Sequence, residues 1–134
     1  MRIVFILLAC ILLFPQCKDE KIKMNYTYVD QNNNRYYISQ LSIDYHPIKA
    51  SESSSGVYDG GEEKKVSISE ENYTELVSLA EEFLSTKNSK NIKREMLTAI
   101  LYSKDQNENK RSIVLRPSEK RSQFEKLLKE FLKK

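Results

Sequence analysis

The sequence predicts an α+β domain of two layers, an antiparallel sheet of four to five strands with two amphipathic helices packed on one face, in the order β-β-β-α-β-β-α. Three observations carry that expectation. Several segments alternate apolar and polar residues with period two and are joined by Asn- and Asp-rich turns. Two others carry apolar stripes at helical spacing, the first behind a serine cap. Hairpins imply antiparallel pairing, and two one-sided helices need a sheet face to cover. At 134 residues, 40% apolar and 31% charged, the chain has the composition of one domain with a modest core. Its net charge of +3 is the small excess of 22 Lys and Arg over 19 Asp and Glu, interspersed along most of the length. That lacks the basic block expected of a nucleic-acid partner.

The elements follow in order through residues 25–134, the expected domain. "NYTYVD" (25–30) is β-branched and aromatic and reads as a strand, and "QNNN" (31–34) as a turn. "RYYISQLSIDYH" (35–46) reads as one strand, with Tyr37, Leu41, Ile43 and Tyr45 on one face. Pro47, which cannot donate to a ladder, closes it. "KKVSI" (64–68) is a short strand. Ser69 caps the helix that follows, Glu70 and Glu71 fill its first turn, and Ile68 and Tyr73 stand at the positions of a hydrophobic staple. Its stripe is Tyr73, Leu76, Val77, Ala80, Phe83 and Leu84. "REMLTAILYSK" (94–104) reads as a strand with Leu97, Ala99 and Leu101 on one face and Met96, Ile100 and Tyr102 on the other. "KRSIVLR" (110–116) is its expected hairpin partner. Pro117 stops that strand, and a last helix beginning at Ser118 or Arg116 has the stripe Phe124, Leu127, Leu128, Phe131 and Leu132.

Residues 1–16 differ in kind. Arg2 precedes an apolar run from Ile3 to Phe14, too short for the roughly 20 residues that span a bilayer but of signal-peptide length. Cys10 lies inside this run, and Cys17 would become the first residue after removal of 1–16, leaving no internal disulfide. Phe14 three residues before Cys17, with "KDE" at 18–20, resembles the relaxed lipobox of small bacterial lipoproteins of the spirochaete or Bacteroidetes type. Pro15 and Gln16 stand where the more familiar box has small residues. The resemblance implies lipidation of Cys17, with palmitate-like chains holding the protein at the bacterial outer membrane or cell surface, and residues 17–24 as lipidated cysteine and charged tether. One acyl chain binds a bilayer only marginally, whereas the several chains of a lipoprotein cysteine hold it durably.

All three glycines fall in "SSSGVYDGG" (53–61), inside an aperiodic stretch from Ile48 to Glu63. Aperiodic segments of that length are uncommon in compact domains and are often functional or disordered. Ser53, Ser54, Ser55, Gly56, Tyr58, Gly60 and Gly61 are therefore the candidate binding loop, as an ordered connection or as backbone amides offered to an anion. Tyr26, Tyr28 and Tyr36 are candidate exposed aromatics, since tyrosines on both faces of one hairpin cannot all face the helices. Chemistry is sparse. His46 is the single histidine, and its spacing from Asp44, Asp59 and the serines 51–55 shows no nucleophile elbow. The His and Cys content suits no metal site, and no cofactor is expected. The functional expectation is a non-catalytic, lipid-anchored envelope module that binds a protein or polymer, without nucleic acid. Alternatives are a hydrolase or transferase subunit working through loop 51–61, and a structural accessory of an envelope complex.

Overall fold

The computed structural model describes residues 23–86 and 93–134. The expected signal segment, Cys17 and the tether up to residue 22 lie outside the described residues. The elements are β1 (Asn25–Val29), β2 (Arg35–Ile38), β3 (Ser42–His46), a 3-10 turn (Ala50–Glu52), β4 (Lys64–Ser67), α1 (Glu70–Leu84), β5 (Ala99–Lys104), β6 (Lys110–Leu115) and α2 (Glu119–Phe131). The strands form one antiparallel sheet in the order β4-β3-β2-β1-β5-β6. Ser69 is the expected cap of α1, its Oγ accepting from Asn72 N, and α2 begins at Ser118 and not at Arg116, with Ser118 Oγ accepting from Arg121 N.

The sheet has six strands, not four to five, because residues 35–46 are two strands. Ser39 N donates to Ser42 O (2.9 Å), and Ser42 N returns to Ser39 Oγ (3.1 Å), closing a tight turn over Gln40 and Leu41. The turn reverses the alternation. Tyr36 pairs with Tyr45 and Ile38 with Ile43 on the core face, while Tyr37 faces the other side and Leu41 is exposed at the tip. The expected strand over 94–104 is also shorter. Leu97 has φ 64°, which no strand residue adopts, and Thr98 Oγ1 donates to Glu95 O (2.6 Å). Met96 and Leu97 are consequently exposed, and pairing begins at Ala99.

The core gathers one alternating set of sheet residues and the inner stripes of both helices. Tyr26, Tyr28, Tyr36, Ile38, Ile43, Ala99, Leu101, Ile113 and Leu115 meet Leu76, Ala80 and Phe83 of α1 and Phe124, Leu128 and Phe131 of α2. Phe124 packs edge-on against both Tyr28 (5.2 Å) and Phe83 (6.0 Å). The tyrosines bring hydroxyls that burial would penalise without partners. Tyr26 donates to Glu81 Oε1 (2.6 Å), a carboxylate that Arg111 clasps with two nitrogens. Tyr28 donates to Glu125 Oε1 (2.5 Å) and accepts from Arg121 Nε (3.2 Å). The Arg121 guanidinium is itself buried and donates to Leu97 O (2.6 Å) and Gln31 Oε1 (3.3 Å) as well.

One hairpin occurs twice. "DQNNN" (30–34) and "DQNEN" (105–109) fold alike. Asp30 accepts from the amides of Asn32 and Asn34 and from the Asn34 side chain; Asp105 does the same with Asn107 and Asn109. Each turn has a left-handed fourth residue, Asn33 (φ 72°) and Glu108 (φ 64°). The strand registers also agree. The offset of 75 residues that carries Asp30 to Asp105 carries the pair Thr27–Tyr37 onto Tyr102–Ser112. It carries Thr27 onto Tyr102, its own partner across β1 and β5, so a local two-fold axis crosses the sheet at that pair. Outside the turns the two copies share few residues, so the sequence shows only a loose strand-strand-helix order common to its two halves.

Burial, reinforced at Tyr26 by Glu81 and at Tyr28 by Glu125, raises the phenols of Tyr26, Tyr28, Tyr36 and Tyr73 above the ordinary 10.0 and pushes Tyr45 up to about 12. A raised folded value means that the stabilisation is complete below pH 10.0 and is lost as pH rises through the folded values. Absorbance at 295 nm in an alkaline titration should therefore show these five phenols ionising together with loss of the far-UV circular dichroism, not before it. Smooth ionisation of all eight tyrosines near pH 10 in a folded chain would contradict the burial described.

Candidate functional site

The other alternating set faces away from the core. Registers place Asp44, Tyr37, Thr27, Tyr102 and Ser112 in one row across the strands, and His46, Arg35, Val29, Ile100 and Val114 in the next. Two segments wall this face into a concavity of about 870 Å³. On one side, Pro47 ends the β3 ladder and the chain climbs past Ile48, Lys49 and Glu52, with Glu63 returning beside His46. On the other, Arg94 reaches back and donates from Nη2 to Asp30 O (3.0 Å), lying across the end of β1. The floor is polar and aromatic: Thr27, Tyr37 and Tyr102, with Val29 and Ile100 beside them.

The charges are unevenly matched. His46 Nδ1 stands 3.5 Å from Glu63 Oε1, and its ring meets Tyr37 edge-on at 5.1 Å. Glu52 Oε2 accepts the Lys49 amide (3.0 Å), and Lys49 Nζ donates to Gly61 O (2.9 Å). Arg35 and Arg94 have no carboxylate within ion-pair distance among the described residues. The arrangement offers aromatic rings for stacking and two fork-shaped cations for an acid.

The glycine-rich loop is ordered and stands behind one wall. Its hub is Asn34, buried at the end of the first twin turn. Asn34 Nδ2 donates to Tyr58 Oη (2.8 Å), and Asn34 Oδ1 accepts the Ile48 amide (3.1 Å). Gly60 N donates to Ile48 O (3.0 Å), and Gly60 O accepts from Tyr45 Oη (2.8 Å). A Cβ at Gly60 would lie 2.2 Å from Asn34 Oδ1 and 2.8 Å from Pro47 Cβ, which is why glycine stands there. Gly56 (φ 69°) and Gly61 (φ 95°) serve backbone conformation instead. The amides of Gly56, Val57, Tyr58, Gly60 and Gly61 all donate within the loop, to Ser53 O, Ser55 Oγ, Ile48 O and Asp59 Oδ1. The expected anion nest is thus occupied by the chain's own acceptors. None of Ser53, Ser54, Ser55, Gly56, Tyr58, Gly60 and Gly61 lines the concavity.

The aromatic expectation needs correcting. Tyr26, Tyr28 and Tyr36 are 2%, 0% and 5% exposed, because pairing of Tyr26 with Ile38 and Tyr28 with Tyr36 sets all three on the helix-facing side. The exposed tyrosines are Tyr37 (40%) and Tyr102 (42%). Arg35, Lys49 and Arg94 are missed by the sequence reasoning, since lone basic residues in loops and strand ends carry no periodic signal. Tyr102 was legible as lying opposite Leu101. Nor do His46 and the serines assemble, since no residue of 51 and 53–55 lines the concavity and Asp59 holds the Gly61 amide.

Among the described residues no group of three or more His, Cys, Asp or Glu could hold a metal ion, and no helix is long and apolar enough to cross a membrane. No protein-family model matches the chain, and no curated protein or solved structure matches it.

The loop geometry separates two glycine substitutions. Gly60→Ala forces backbone or Asn34 to move and should cost about 1–3 kcal/mol in denaturant melts. Gly56→Ala, with nothing within 4 Å of the new methyl, should cost only the left-handed backbone, about 1 kcal/mol. Equal losses at both positions would contradict the Asn34 hub.

Proposed function

We propose that this protein is a lipid-anchored envelope module that binds a protein or polymer through the uncovered face of its sheet, without catalysis. The observation that carries this is the walled concavity with Tyr37 and Tyr102 on its floor. Large rings half-exposed beside guanidinium groups that have no carboxylate partner among the described residues are what recognition surfaces use. A hydrolase or transferase reading finds less support, because the serine-rich loop stands outside the concavity.

A lipid on Cys17 would be linked to the domain at Met24. Tyr73 Oη donates to Met24 O (2.6 Å), so the chain leaves the domain at the start of β1, pinned to α1. Cys17 and Met24 lie seven positions apart, a reach of roughly 23 Å when extended. Val29, Arg35, His46 and Arg94 stand toward the end of β1 opposite the point where such a tether would join the domain.

Labelling with an alkyne-palmitate in a bacterial host should mark the full chain in the membrane fraction, and Cys17→Ser should abolish the mark and release the protein. The double variant Tyr37→Ala, Tyr102→Ala should keep its melting temperature and retain about tenfold less envelope material than the parent in a detergent-phase pull-down. An unlabelled, freely soluble parent overturns the anchor; equal retention by the variant overturns the binding face.

A further inference from the structure

We infer that the concavity takes an acidic oligosaccharide, with sugar rings on Tyr37 and Tyr102 and a carboxylate or sulfate at Arg35 and Arg94. This rests on the proposed use of the open face and specifies its ligand.

The argument runs from the floor to the rim. Tyr37 and Tyr102 flank Thr27 in one cross-strand row, two strand spacings apart, about 10 Å. That is the separation of alternate rings in an extended glycan, whose apolar C–H faces stack on aromatic rings while their edges carry hydroxyls. The Thr27 hydroxyl lies between the two tyrosines, and Glu52, Glu63 and Lys49 at the rim offer the mixed donors and acceptors that such edges need. One row along, toward the β1–β2 turn, the surface changes character. Arg35 is opposite both Val29 and His46, and Arg94 is held over the end of β1 by Asp30 O. Neither arginine is neutralised by a carboxylate among the described residues, and a guanidinium is suited to bidentate contact with a planar acid.

A peptide suits this surface less well. The concavity is floored by side chains on the face of a sheet whose inner strands already pair with neighbours on both sides. A bound peptide's own N–H and C=O groups would find no ladder to join there, and leaving such groups unpaired is costly. A glycan has no such backbone requirement.

The test uses the full chain in detergent micelles and four hexameric probes: polygalacturonate, chondroitin sulfate, the neutral cellohexaose and hexaglutamate. Isothermal calorimetry should show both acidic glycans bound, with cellohexaose and hexaglutamate at least about tenfold weaker. Arg35→Gln and Arg94→Gln should each weaken the acidic glycans about tenfold, and rising salt should weaken them further. Because both arginines are on the surface, unchanged melting curves certify the variants. Ring signals of Tyr37 and Tyr102 in NMR spectra of the parent should shift on addition of chondroitin sulfate. Equal affinity for cellohexaose, or indifference to both arginine substitutions, overturns the acidic assignment. Preference for hexaglutamate, or no binding of any probe while the tyrosine-dependent pull-down persists, overturns the glycan and leaves the binding face standing. No binding together with a pull-down that ignores Tyr37 and Tyr102 overturns both.

Discussion

The buried hydroxyl of Tyr28, held between Glu125 and Arg121, is the contact on which the rest of the structure depends. A tyrosine at the centre of a core fills space as phenylalanine would, but it brings a polar atom that must be satisfied. Here α2 supplies both a carboxylate and a guanidinium, one turn apart, and the cost of burying each is offset by the other. Arg121 then has donors to spare. One reaches Leu97 O and holds the left-handed corner that ends the irregular segment before β5. That segment carries Arg94 onto the opposite side of the sheet. A hydrogen-bond requirement inside the core thus governs the rim of the concavity outside it.

A second polar hub does the same for the other wall. Asp30 fixes Asn34 through three hydrogen bonds, and Asn34 fixes both ends of the glycine-rich loop through Ile48 and Tyr58. The loop's interest is therefore structural: it props Pro47, Ile48 and Lys49 against the sheet face. Sequence inspection is drawn to the glycines, yet the side chains that line the concavity sit a few residues before them. The two walls share Asp30, whose side chain organises the loop and whose carbonyl receives Arg94.

Legibility followed the physics of each signal. Both helices, the serine cap of α1 and the final hairpin could be read because capping and amphipathic spacing are local and redundant. The split at Ser39–Leu41 could not, because its turn has neither Gly nor Pro and is closed by a serine side chain. Missing it inverted the phase of everything before it, which is how Tyr36 came to be expected on the surface and Tyr37 in the core. Tyr26 and Tyr28 were misplaced for a different reason: their burial depends on Glu81, Glu125 and Arg121, more than fifty residues away, and no window along the chain contains both partners. The concavity was legible only as an open face with tyrosines; its arginines are brought together by tertiary contacts alone.

The duplicated hairpin leaves the chain with a problem of identity. Two stretches with the same turn and the same register are interchangeable as far as the backbone is concerned, and a half-folded chain could dock either one in either berth. The side chains break the tie. Ser103, buried with no hydrogen-bond partner for its hydroxyl among the described residues, occupies the position that Tyr28 has in the first copy, and Arg111 stands where Tyr36 does. Swapping the copies would drive a guanidinium among the core aromatics, far from Glu81, and leave a tyrosine at the rim. The divergence of the two copies is what makes the native arrangement unique, while their shared turn keeps each quick to form from neighbours along the chain.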